Sequence, residues 1–119
     1  MLPNTPEEWP ELFERYLNSG NLDAVASLYD PDAIFVSRSG ETLSGRDAIR
    51  RVLSQLIGGR VRLHGKVVRV VKARDVAVLY TDWHGTIDGN EERTSAIEVL
   101  RRQPDGVWLL VVGDPNGRG

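Results

Sequence analysis

An α+β fold, with helices laid on one face of a curved antiparallel sheet, follows from three observations. The first half of the chain carries apolar stripes at helical spacing, interrupted by short extended pieces. From Arg60 onward the apolar period changes to two, the mark of strands with one face in a core. Turn signals at Asp88-Gly89-Asn90 and Pro104-Asp105-Gly106 then join those strands as hairpin neighbours. Two such layers leave a pocket between them. One acid, Glu98, stands in the second-to-last strand among apolar and small residues, so a carboxyl facing that pocket is the place to look for chemistry.

The 119 residues, 40% hydrophobic and 27% charged, suit one domain over 1–119 with one core. A net charge of −2 gives no electrostatic reason for a nucleic-acid or anionic-membrane partner. With no cysteine, disulfides and thiolate metal sites are excluded. The N-terminus lacks the basic and apolar stretches of a secretory leader, and no apolar run approaches the roughly 18 residues of a membrane span, so a cytoplasmic protein is expected.

Thr5, Pro6 and Glu8 form a helix start: Thr5 can cap, Pro6 suits the first helical position and Glu8 closes a capping box. Trp9, Leu12, Phe13, Tyr16 and Leu17 fall on one face, and Pro10 requires that this helix bend or begin nearer Trp9. Asn21 caps a second helix with Leu22, Val25, Leu28 and Tyr29 inward, stopped by Asp30-Pro31. Residues 33–36 and 41–43 are short strands about a turn at Ser39-Gly40. Ser44 with Asp47 opens a third helix, striped by Ile49, Val52, Leu53 and Leu56 and closed by Gly58-Gly59. Residues 60–73 form a long strand, bent or bulged near Gly65 where the alternation loses phase. Strands over 76–87, 91–102 and 107–112 complete the sheet, and the tail from Pro115 is polar and flexible by composition.

A two-residue hairpin turn fixes which side chains share a face. With Gly89-Asn90 as the loop, Thr81 lies opposite Glu98; with Asp88-Gly89 the register slips by two and the faces stay the same. Leu79, Thr81 and Trp83 therefore share a face with Thr94, Ala96, Glu98 and Leu100. Val78, Tyr80, Asp82 and His84 share the other with Ser95, Ile97, Val99 and Arg101, a mixture suited to solvent or to a dimer. The first set is expected on the concave side, beneath the helices.

Arg15-Tyr16, Asn21-Leu22-Asp23-Ala24-Val25, Leu28-Tyr29, Asp32-Ala33 and Ser44-Gly45-Arg46-Asp47-Ala48-Ile49, with the later run from Thr94 to Gly106, Trp108 and Asp114-Pro115, resemble the nuclear transport factor 2-like superfamily. Within it the chain is similar to the SnoaL-like and ketosteroid-isomerase-like branches and to small bacterial SgcJ/EcaC-type proteins. The resemblance implies a cystatin-like fold, a cone-shaped curved antiparallel sheet packed under three N-terminal helices, paired as a homodimer through its convex face. It also implies roles. Tyr16 matches the isomerase's oxyanion-hole tyrosine, and Glu98 falls where that enzyme keeps a protonated acid in an apolar site. The isomerase's carboxylate base falls on or beside Ser37, and neither Val36 nor Arg38 supplies a carboxylate, which argues against isomerisation by that mechanism. The fold hosts isomerases, hydrolases, cyclases and binders, so it names no function by itself.

Glu98 has two readings, a pocket acid of raised pKa or an ionised rim residue paired with Arg93 or Arg38. Tyr16 is a ligand donor or a core aromatic whose hydroxyl reaches water or backbone. Trp83, Leu79, Phe35, Ile49 and Leu100 are expected as pocket walls, with Thr81, Thr94 and Ser37 beside them. His84 shares a face with Asp82, a pair able to do acid–base work, but on the convex side it reads as surface or interface. His64, His84 and Asp82 lack metal-ligand spacing, and the hairpin tip from Asp88 to Glu92 lacks a calcium-loop pattern, so no metal and no cofactor are expected. The ligand class expected is a small apolar organic molecule bearing an oxygen, met by Tyr16 and Glu98. The protein would be an isomerase- or cyclase-like enzyme, a non-catalytic carrier or sensor, or an association module acting through its dimer face.

Overall fold

The computed structural model describes residues 1–119. Its first helix, α1 (Glu8–Asn18), buries Trp9, Pro10, Leu12 and Leu17. Glu8 closes the N-terminus, its Oε1 accepting from the backbone N–H groups of Asn4 and Thr5 at 2.7 and 3.3 Å. Pro10 removes no helical hydrogen bond because it falls in the first turn, where N–H groups have no intrahelical acceptor. The short α2 (Leu22–Ala26) is capped by Asn21, whose side chain accepts from the Ala24 N–H at 3.1 Å. This helix ends earlier than its apolar stripe suggests. Tyr29 opens strand β1 (Tyr29–Val36) instead, drawn out by pairing with Leu110 of the last strand. Strand β2 (Thr42–Ser44) takes up Ser44, so the cap of α3 (Arg46–Gly58) is Gly45 and not Ser44.

Four further strands follow: β3 (Arg62–Ala73), β4 (Val76–Ile87), β5 (Asn90–Arg102) and β6 (Trp108–Asp114). The sheet order is β2-β1-β6-β5-β4-β3. All neighbours are antiparallel except β1 and β6, a parallel pair that the local sequence pattern did not disclose. The β4–β5 hairpin turns on Asp88 and Gly89, at φ 53° and 77°, the two positive values that a type I′ turn requires. Leu79 consequently stands opposite Glu98, Thr81 opposite Ala96 and Trp83 opposite Thr94, the second of the two registers open to the sequence. The irregularity in β3 lies at Val68, between the pairs made by Val67 and Arg69, and not at Gly65. Gly65 has a different task. It lies across from Trp83, and a Cβ there would come within 2.7 Å of the indole ring.

Burial alternates along β4, with Ala77, Leu79, Thr81 and Trp83 beneath the helices and Val78, Tyr80, Asp82 and His84 on the outer face. Trp9, Leu28, Ile49, Leu53, Leu79, Leu100 and Leu110 form the centre of the core. The C-terminal tail is not loose. The Arg118 N–H donates to the Ser95 carbonyl at 3.0 Å, and its guanidinium donates to Ala96 O at 3.1 Å and to Asp82 at 2.7 Å while lying over the Tyr80 ring. No helix is long and apolar enough to cross a membrane.

Candidate functional site

Between the helices and the concave face lies a cavity of about 390 Å³, within the size range of small-molecule sites. Its apolar walls come from every layer: Trp9 and Phe13 on α1, Ile49, Val52, Leu53 and Leu56 on α3, Phe35 on β1 and Trp83 on β4. Glu98 enters it from β5 and is only 5% exposed. Its carboxylate reaches diagonally to the neighbouring strand, to Thr81 two places away in register and, through the length of the indole, to Trp83 four places away. The Thr81 hydroxyl donates to Oε1 at 2.7 Å and the Trp83 indole N–H donates to Oε2 at 2.9 Å. Across the other edge, Glu98 pairs with Gly113, which also lines the cavity.

Burial pushes the Glu98 carboxyl up to about 7, against the opposing pull of the Thr81 and Trp83 hydrogen bonds and the Arg118 charge. A group so placed takes up and returns protons near neutrality. Tyr29 also lines the cavity, and burial first, then the Glu98 charge, push its phenol further up, so it stays a neutral donor. No protein group hydrogen-bonds its hydroxyl, whereas the Arg46 guanidinium holds its backbone carbonyl. The polar groups of the cavity floor are therefore a carboxyl with two fixed donors and a phenol with a free hydroxyl. At the mouth Arg38, 74% exposed, pairs with Glu92 at 3.3 Å, with Asp114, Pro115 and Asn116 alongside.

The structure brings Glu98, Trp83, Thr94, Phe35 and Ile49 together around the cavity. Thr81 touches it only through Glu98. Leu79, directly opposite Glu98, and Leu100, two residues beyond it, are wholly buried core residues and are not walls. Ser37 lies outside it, its hydroxyl tied to Ser39 and to the Glu41 N–H in a turn. Tyr16 is a correction. It packs against the core without lining the cavity, and its hydroxyl donates to the Met1 carbonyl at 2.7 Å. The tyrosine that does reach the site, Tyr29, was hidden by the expectation that α2 extends through it. The aromatic neighbours Trp9 and Phe13, stacked at 5.0 Å, were legible as an inward helix face but not as cavity walls. Gly65, which seats the Trp83 ring, carried a signal, since a glycine inside a strand marks close approach of another group.

His64 and His84 are cross-strand partners on the outer face with ring centroids 5.8 Å apart, and His64 Nδ1 lies 3.6 Å from the Glu14 carboxylate. No group of three His, Cys, Asp or Glu side chains is placed to hold a metal ion.

Among solved structures the chain is similar to an NTF-2-like protein of unknown function from Shewanella oneidensis (14% identity, TM-score 0.79, 91% of this chain and 93% of that one). It is similar also to a ketosteroid isomerase-like protein from Erwinia carotovora atroseptica (17% identity, TM-score 0.75, 91% and 89%). A protein from Thiobacillus denitrificans, provisionally described as a calcium/calmodulin-dependent protein kinase type II association domain, shares 26% identity at TM-score 0.76, with 97% of each chain covered. None of the curated proteins matches the chain. The first two likenesses are of fold alone. The SnoaL-like domain, however, matches residues 11–111, nearly the whole of the sheet and helices just described, and the chain belongs to that family.

Proposed function

We propose that this single SnoaL-like domain binds a small, largely apolar organic molecule in the cavity, with an oxygen of that molecule between the Glu98 carboxyl and the Tyr29 hydroxyl. The observation that carries the reading is Glu98 itself. Its carboxyl is buried, held in place by two donors and open on one flank to an apolar hollow. A carboxyl in that setting donates when protonated and accepts when ionised, and a transition near 7 makes both forms available. Acid–base work on the ligand, of the kind an isomerisation or cyclisation needs, would fall first on this group, because the other lining acids, Glu92 and Asp114, stand at the mouth and Ser37 supplies no carboxylate. Turnover separates an enzyme from a carrier or sensor. A rate governed by a group near 7 and lost in Glu98→Gln marks catalysis, whereas tight binding without turnover marks a carrier.

The test is a titration of intrinsic tryptophan fluorescence with a panel of phenols and cyclic ketones, since Trp9 and Trp83 both border the cavity. Binding is expected to quench or shift emission, to weaken by about tenfold in Tyr29→Phe, as loss of one hydrogen bond implies, and to be unchanged in Tyr16→Phe. No response to any member of the panel, or equal loss in the two tyrosine variants, would overturn the assignment.

Association is a second reading. The Thiobacillus protein's description names an association domain. Here Val71 and Val76 are large apolar residues exposed toward one end of the sheet, and Val78, Ile97 and Val99 are half-buried. A homodimer through the convex face would cover them. Sedimentation of the wild type against Val99→Glu tests it, with a shift to monomer expected in the variant.

A further inference from the structure

Four rings border the cavity as one connected wall. Trp9 and Phe13 have centroids 5.0 Å apart, Phe13 and Trp83 5.3 Å, and Trp9 and Tyr29 5.7 Å. The Glu98 carboxyl is pinned within that wall by the Trp83 indole. The charges of the lining are one-sided. Arg38 is its single cation, and Glu92 already engages it, while Glu98 and Asp114 have no cation of the lining to themselves. One cation against the three acids Glu92, Glu98 and Asp114 leaves a net charge of −2 when Glu98 is ionised. Such a lining repels an anionic ligand and favours a cationic one. Ring faces add attraction for a positive nitrogen, and most of all for one that is weakly hydrated.

We propose that the ligand carries, beside its oxygen, an organic ammonium group, seated among Trp9, Phe13, Tyr29 and Trp83 with the Glu98 carboxylate as its counter-ion. This rests on the reading that the cavity binds a small oxygen-bearing molecule, and it adds the charge class of that molecule. The division of labour is then plain. Of the two groups that flank the oxygen in that reading, Glu98 turns to the nitrogen and the free Tyr29 hydroxyl keeps the oxygen. Binding of the cation favours ionised Glu98, so affinity rises with pH through the Glu98 transition. The groups facing Glu98 are Thr81 and Trp83 from β4, neutral Tyr29 from β1 and Arg118 from the tail, with Arg38, Glu92 and Asp114 at the mouth. None of these is a histidine, so Glu98 alone sets that rise near neutrality.

Three probes that share a phenol decide the matter: tyramine, its uncharged isostere para-propylphenol, and para-hydroxyphenylacetate. Calorimetric titration at about pH 8, above the Glu98 transition near 7, is expected to rank them in that order, with tyramine about tenfold tighter than propylphenol. The preference is expected to shrink several-fold at about pH 6 and in Glu98→Gln. Equal affinity of propylphenol and tyramine at the higher pH would overturn the ammonium assignment and leave the cavity reading standing. Failure of all three probes in the wild type would overturn the cavity reading itself. The comparison of wild-type affinities needs no variant, so it holds even where Glu98→Gln folds poorly.

Discussion

Asp30 and Glu98 are two buried carboxyls of one sheet, 4% and 5% exposed, and the protein holds them in opposite ways. Burial raises both. At Asp30 it is outweighed by the Asp32 N–H, the Arg101 guanidinium at 3.1 Å and the Gln103 amide at 3.1 Å, so that carboxyl titrates below its ordinary range. At Glu98 the nearest donors are a hydroxyl and an indole, both uncharged, and burial wins. A guanidinium in direct contact separates a carboxylate that supports the fold from one available for chemistry.

The largest expected effect is on the pH dependence of stability. Glu98 binds its proton more tightly folded than unfolded, so it supports the fold at low pH and withdraws that support as pH rises from about 4.5 to about 7. The loss across that window is about 3 kcal/mol. Asp30 acts with the opposite sign, contributing above its unfolded pKa and losing that contribution as pH falls through its lowered folded value. Urea unfolding from pH 3 to pH 9 is expected to show Glu98→Gln without the fall toward neutrality. Asp30→Asn is expected to lose about 1–2 kcal/mol at neutral pH, less than a fully buried pair because Arg101 is half in solvent. Parallel profiles in the two variants would break the contrast.

A smaller effect reaches Glu98 through its seat. Gly65→Ala puts a methyl against the Trp83 ring, with a cost of about 1–3 kcal/mol for the displaced indole. The lost indole donor is expected to raise the Glu98 transition further, readable in the pH dependence of tryptophan emission. An unmoved transition would show that Thr81 alone positions the carboxyl. Smallest is Arg118→Ala, which removes a distant cation and is expected to move the same transition slightly up with little change in stability.

Much of this arrangement could be read in advance. The period-two pattern and the hairpin turn signal put Glu98 and Trp83 on one face of β4 and β5, and the smaller, more apolar make-up of that face points it inward, as the structure has it. Ridges at helical spacing likewise place Trp9, Phe13 and Ile49 inward. What local pattern cannot carry is partnership across the chain. Tyr29 continues the apolar stripe of α2, and only its pairing with Leu110, far along the sequence, turns it into a strand residue at the site. Tyr16 shows the reverse. It falls at helical spacing with Trp9 and Phe13 and packs on the core, yet it lies two turns along α1 from Trp9, outside the cavity lining, where the Met1 carbonyl takes its hydroxyl. Its match to the isomerase tyrosine is one of sequence position and not of surroundings.

The folded-back tail has a wider consequence. Arg118 rests on the outside of the sheet, against Tyr80 and Asp82, yet its field is felt by the acid on the inside. Whatever settled on that exterior, another copy of the chain included, would strip water from the guanidinium or pull it from Asp82. Loss of the guanidinium from Asp82 would let the proton affinity of the acid behind it rise slightly, so an event on the exterior would be felt, weakly, one sheet thickness away.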